Sequence, residues 1–209
     1  MTSYIQKLIQ QGEHQQLDFK FEISDSRKIA KTLVAFSNTD GGTLLIGVKD
    51  NGHIAGVRSD EEFYMVEAAA TMYCKPKVVF ESKRWVIDGR TVLEVRIPKG
   101  DEPPYLAQID PQKWMAYIRI SDENILATSV HLRVWKNKSH PKGVFMEFSA
   151  KEKMLLEYLE LNSSISMSMF CKTAILSRKA AEKIVADLIH WGVIEAFYQD
   201  QHFMYRLKK

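Results

Sequence analysis

The sequence predicts an α+β protein in two domains: a mixed sheet with helices, then a small helical domain closed by a hairpin. Three observations carry this. Strand alternation and helical periodicity interleave through roughly the first 135 residues. The stretch WKNKSHPKG at 135–143 is polar and contains Pro141 and Gly143, which mark a boundary. Beyond that boundary the chain reads as three helices and a terminal hairpin. The expected division is a domain at 1–137, a linker at 138–147 and a second domain at 148–209.

At the start of the chain, Tyr4, Ile5, Leu8 and Ile9 share one helical face, and Gly12 ends that helix. In GEHQQLDFKFE, Leu17, Phe19, Phe21 and Ile23 alternate with Asp18, Lys20 and Glu22, the pattern of a strand buried on one face and wet on the other. Ile29, Ala30, Leu33, Val34 and Phe36 predict a helix ending near SNTDGG, and TLLIGV predicts a strand buried on both faces. Asn51-Gly52 turns the chain into a short returning strand, and residues 59–73 form a helix closed by Pro76. Asp88-Gly89 joins KVVFESKRWVI to RTVLEVRIP as a tight hairpin, and Asp110-Pro111 joins PPYLAQI to KWMAYIRI.

Composition narrows the function classes. Of 209 residues, 45% are hydrophobic and 26% charged, ordinary values for a globular chain. The net charge of +3 is compatible with nucleic acid without requiring it, since binding depends on clustering. Cys74 and Cys171 form no C-x-x-C pair, so no disulfide framework or structural zinc site is read here. The opening MTSYIQKLIQQGEHQQ is too polar for a signal peptide or a membrane span. A cytoplasmic protein without a membrane partner is the expectation.

The second domain has the grammar of a winged helix-turn-helix: SAKEKMLLEYLELN, SISMSMFCKTA and SRKAAEKIVADLIHWG as helices, then a hairpin with Asp200 near its tip. Ser177 is placed to cap the third helix. Arg178, Lys179 and Lys183 lie on its exposed side, where a recognition helix meets nucleic acid. The same three cations are also what an ordinary solvated face carries. Residues 148–209 hold nine Lys and Arg against seven Asp and Glu, so clustering rather than total charge decides.

The blocks LDFK, AFSNTDGGTLLIGVKDNG, PPYL and YIRI occur in that order over residues 17–120. Together they resemble the Schlafen-type AlbA-like domain, a family whose bacterial members are often labelled DNA-binding, ATP-binding or transcription-regulator proteins. The resemblance covers roughly the first 135 residues. It implies an AlbA-like mixed-sheet domain. Members that cut tRNA and rRNA use two acids in an E-x4-E-F-K motif and a third in the strand after the double glycine. On this chain those positions are Glu13, Asp18 and Asp50, with aspartate at 18 where the motif has glutamate. The resemblance thus implies Glu13, Asp18 and Asp50 as candidate ligands of Mg2+ or Mn2+, and Lys20 beside them as a candidate catalytic cation. Without it, Asp18, Lys20 and Glu22 read as a solvated strand face and Asp50 as a turn residue.

ATP is not expected, because Asp40-Gly41-Gly42 lies at a helix C-terminus rather than at the N-terminus that cradles phosphate. The expected function is nucleic-acid binding, as a DNA-binding transcriptional regulator acting as a homodimer. The alternative is a metal-dependent endoribonuclease acting on tRNA or rRNA. A protein-interaction adaptor is the further alternative.

Overall fold

The computed structural model describes residues 3–139 and 148–208. The chain forms two compact units, Met1–Ala127 and Thr128–Lys209. Among the described residues no helix is long and apolar enough to cross a membrane.

In the first unit, α1 (Tyr4–Ile9) starts with a capping box in which Ser3 and Gln6 satisfy each other's backbone amides. After it come β1 (Leu17–Lys20), α2 (Ser26–Asn38), β2 (Gly42–Ile46), α3 (Glu61–Met72) and β3 (Cys74–Lys75). The remaining elements are β4 (Glu81–Ile87), β5 (Arg90–Ile97), β6 (Leu106–Asp110), β7 (Lys113–Ile120) and β8 (Glu123–Leu126). They build two four-stranded sheets, ordered β1-β2-β5-β4 and β3-β6-β7-β8. The first is mixed, as expected: β1 runs parallel to β2 and the other pairs are antiparallel.

Asp88 and Gly89 both take positive φ, 49° and 75°, the geometry a two-residue hairpin needs. The expected return after Asn51-Gly52 is reduced to a single bridge, Val48 to Ile54.

The double glycine has a packing role. A Cβ at Gly41 would lie 2.8 Å from the Ile97 carbonyl, and one at Gly42 would lie 2.5 Å from the Phe36 ring. Only glycine lets the end of α2 turn this tightly into β2.

Each face of the first sheet is covered. Leu44, Ile46, Leu93 and Val95 share a core with Leu33 and Phe36 of α2 and with Val66 of α3. On the opposite face Leu17, Phe19, Leu45 and Val92 cluster with Ile5 of α1. Strand β1 is therefore buried on both sides, with Asp18 only 3% exposed. This corrects the expectation of a half-wet strand: period-two alternation shows which residues share a face, not what covers it.

The second unit comprises α4 (Ser129–Lys138), α5 (Ala150–Leu161), β9 (Ile165–Ser166), α6 (Met167–Ala174), α7 (Arg178–His190), β10 (Ile194–Gln199) and β11 (His202–Leu207). Its three strands are ordered β10-β11-β9. The core joins Leu155 of α5, Phe170 of α6, Val185 and Leu188 of α7 and Tyr205 of β11. The hairpin tip is Asp200-Gln201, both at positive φ, where the sequence placed it.

The division falls at Ala127/Thr128 rather than at 137, because α4 belongs with the second unit: Val130 joins its core, and Asn137 Nδ2 donates to Asp187 Oδ1 of α7 at 2.8 Å. Most of the expected linker, residues 140–147, lies outside the described residues.

Candidate functional site

The chain reverses between His14 and Leu17, whose backbones exchange hydrogen bonds of 3.0 and 3.1 Å. This turn brings Glu13 back alongside β1, where its Oε1 accepts the Phe19 amide at 2.7 Å. Burial pushes the Glu13 carboxyl above its ordinary value, the Phe19 N–H works against that, and the neighbouring Asp18 charge adds to the rise. Glu13 and Asp18 do converge.

Asp18 is held by two cations. Arg119 Nη2 lies 3.0 Å from Asp18 Oδ1, and Lys20 Nζ lies 2.8 Å from Oδ2. The Arg119 side chain is itself only 1% exposed. Its Nη1 donates to Asn124 Oδ1 at 3.2 Å, Asn124 donates to Thr32 Oγ1 at 2.9 Å, and Arg119 Nη2 also reaches the Leu17 carbonyl at 3.2 Å. The guanidinium lies 5.3 Å from the centroid of the Phe36 ring. Arg119 thus ties β7 of the second sheet to β1 of the first through a buried charge pair.

The third acid does not join them. Asp50 is exposed in the turn closed by Gly52 N–H to the Lys49 carbonyl at 2.8 Å. Among the described residues no group of three or more His, Cys, Asp or Glu side chains is placed to hold a metal ion. The set Glu13, Asp18 and Asp50 is therefore not assembled as a metal site in this structure. Lys20 neutralises Asp18 and donates to the Phe19 carbonyl at 2.7 Å. Asp50→Asn is accordingly expected to change the urea-unfolding free energy by no more than about 0.5 kcal/mol. A change several times larger would show that Asp50 engages other groups.

The second candidate region is the start of α7. Ser177 caps it, its Oγ accepting the Ala180 amide at 3.3 Å. Arg178, Lys179 and Lys183 are all exposed, as the sequence placed them. Two of them carry intrahelical partners: Arg178 Nε meets Glu182 Oε1 at 3.0 Å and Lys183 Nζ meets Asp187 Oδ2 at 3.0 Å. Lys179 has no carboxylate within ion-pair distance among the described residues. Beside Arg178 lies a hollow of about 650 Å3, bordered by Ser166 and Ser168 at the start of α6 and by Gln199 and His202 of the hairpin.

Sequence reasoning missed Arg119 and Glu182. Nothing local distinguishes Arg119 from any outward residue of an alternating strand. Glu182 was detectable, since an acid four residues after a helical arginine is a standard pairing distance.

A family model described as Schlafen, AlbA_2 matches residues 13–128, and one described as PCI domain matches residues 144–202. No curated protein matches. Among solved structures, the chain is similar to the crystal structure of the DIP2311 protein from Corynebacterium diphtheriae, at 17% identity and a TM-score of 0.47. That match covers 91% of this chain and 34% of the other, so the chain spans about a third of that protein's length. It is also similar to the solution structure of the N-terminal domain of a RecG-related protein from Nitrosomonas europaea. There the identity is 18% and the TM-score 0.41, covering 70% of this chain and 97% of that domain. The first of the family matches spans more than half of the sequence and contains both acids, the double glycine and Arg119, and the chain belongs to the Schlafen AlbA_2 family.

Proposed function

We propose that this protein binds nucleic acid, and that it is a DNA-binding transcriptional regulator whose second unit is a winged helix touching the duplex with the start of α7. Family membership points toward nucleic acid. The observation that carries the finer reading is the Ser177-capped, exposed and basic N-terminal turn of α7. It lies in a unit whose elements run helix, strand, helix, helix and hairpin after α4. The ion pairs of Arg178 and Lys183 do not remove them from this role. The cations themselves stay largely exposed, 72% for the Arg178 side chain and 64% for that of Lys183, and phosphates compete for them. Assembly as a homodimer belongs to the same reading, because a two-fold pair of such helices would meet repeated half-sites.

The test is a duplex-binding titration at several salt concentrations with Arg178→Ala/Lys179→Ala. The log-log salt slope is expected to fall by roughly 0.9 for each phosphate that α7 no longer neutralises. An unchanged slope would remove α7 from the interface. A second reading, a metal-dependent endoribonuclease, is favoured by the convergence of Glu13 and Asp18. Cleavage of tRNA with Mn2+ that Glu13→Gln abolishes would carry it over the first.

A further inference from the structure

We infer that Glu182 is a positioning residue that holds the Arg178 guanidinium ready for a phosphodiester of duplex DNA, an inference resting on the reading of α7 as the DNA-contacting helix. The side chains differ in a telling way. That of Arg178 is 72% exposed, while that of Glu182 is only 11% exposed. An ordinary pair stapling a helix surface gains nothing from burying its carboxylate, and desolvating the charge opposes it. Glu182 sits instead close to Tyr205, a buried residue of β11, whose phenol is pushed up to about 12 by burial first and then by the Glu182 charge. The carboxylate is thus held in place by its burial, and among the described residues its hydrogen-bond partner is Arg178 Nε at 3.0 Å.

The point of attachment matters. Arg178 is held through Nε alone, at 3.0 Å, and among the described residues its two terminal amino groups donate to no other side chain or carbonyl. A bond at Nε fixes the plane of the guanidinium while leaving the terminal fork free to meet two oxygens of one phosphate. Lys183 makes a contrast: its single ammonium is itself the atom bound to Asp187. Arg178 lines the hollow together with Ser166, Ser168, Gln199 and His202, whose polar groups can meet a phosphodiester backbone, while the acids Glu182 and Asp200 line it as well.

The test exploits a sign. Removing a negative charge near bound DNA should tighten binding if charge is all that Glu182 supplies. Positioning predicts the opposite. With the full chain and a fluorescently labelled duplex at fixed low salt, Glu182→Ala is expected to weaken binding about fivefold, the order of effect of freeing one long side chain. Glu182→Gln, whose amide oxygen still accepts from Nε, should keep most of the affinity. In an Arg178→Ala background Glu182→Ala should tighten binding, because only its charge is then felt. Arg178→Lys, which keeps the charge but has no Nε for Glu182 to hold, should bind more weakly than the native chain and more tightly than Arg178→Ala, and this arm stands even if a Glu182 variant fails to fold. Tighter binding by Glu182→Ala in the native background, or native affinity in Arg178→Lys, would overturn the inference and leave α7 as the contact. No effect from Arg178→Ala would overturn both.

Discussion

Replacing Arg119 by alanine is expected to lower the stability of the N-terminal unit by about 3–5 kcal/mol. The side chain is buried with its charge, and it answers Asp18 at 3.0 Å, the Leu17 carbonyl at 3.2 Å and Asn124 at 3.2 Å. Its removal leaves a buried carboxylate with Lys20 alone as counter-charge and opens a void against the Phe36 ring. Urea unfolding followed by Trp fluorescence measures the destabilisation. Because the dominant penalty is a buried carboxylate left with one cation instead of two, Arg119→Met combined with Asp18→Leu is expected to be milder than Arg119→Ala alone. If the double variant is destabilised by as much as the sum of the two single ones, the pair is not coupled and the account of β1 as an ionically clamped strand fails.

Acid is expected to loosen the second unit by about 3 kcal/mol between pH 6.5 and 4, through His131. Burial holds this imidazole down at about 4 from its ordinary 6.5. The unfolded chain therefore takes up a proton below pH 6.5 that the folded chain refuses until about pH 4. The stabilisation is fully present above pH 6.5 and is lost as the pH falls through that window, at about 1.4 kcal/mol per pH unit. The cause is local. His131 Nδ1 lies 3.2 Å from the Thr128 amide and 2.8 Å from Thr128 Oγ1 at the start of α4, and the ring packs edge-on against Phe203 at 4.7 Å between centroids. Thermal melts across the pH range check this against His131→Gln. Glutamine at that helix position can still accept the Thr128 amide, as in a capping box, but does not titrate. The variant should flatten the window. An equal acid loss in His131→Gln would assign the effect to other groups.

Short-range physics governs what is legible along the chain. The helix of α2 stems from its apolar stripe, the hairpin turns at Asp88-Gly89 and Asp200-Gln201 stem from residues that tolerate positive φ, and Ser177 caps α7 because its hydroxyl reaches an amide three residues on. The exposure of Arg178, Lys179 and Lys183 is legible for the same reason, as a face of one helix. The four blocks that resemble the Schlafen AlbA_2 family identify the N-terminal unit, and its mixed sheet is present. Two features are not legible along the chain: that α4, nearly all of it on the N-terminal side of the expected boundary, packs with the second unit, and that Glu182, whose spacing from Arg178 is visible, is buried.

Tertiary structure decided the rest. Whether Asp18 faced water or the interior depended on Arg119, 101 positions away, arriving from a different sheet. Glu94 is buried within β5 because Tyr4, 90 positions earlier, Trp85 and Arg96 all donate to its carboxylate. Alternation in a strand specifies two faces, but long-range packing determines which of them is covered and which charge compensates a buried one. The same limit governed the three acids. The reversal at His14–Leu17 carried Glu13 to Asp18, while the turn at Lys49–Gly52 left Asp50 in solvent. Spacing along the chain constrains reach; only the folded backbone decides convergence.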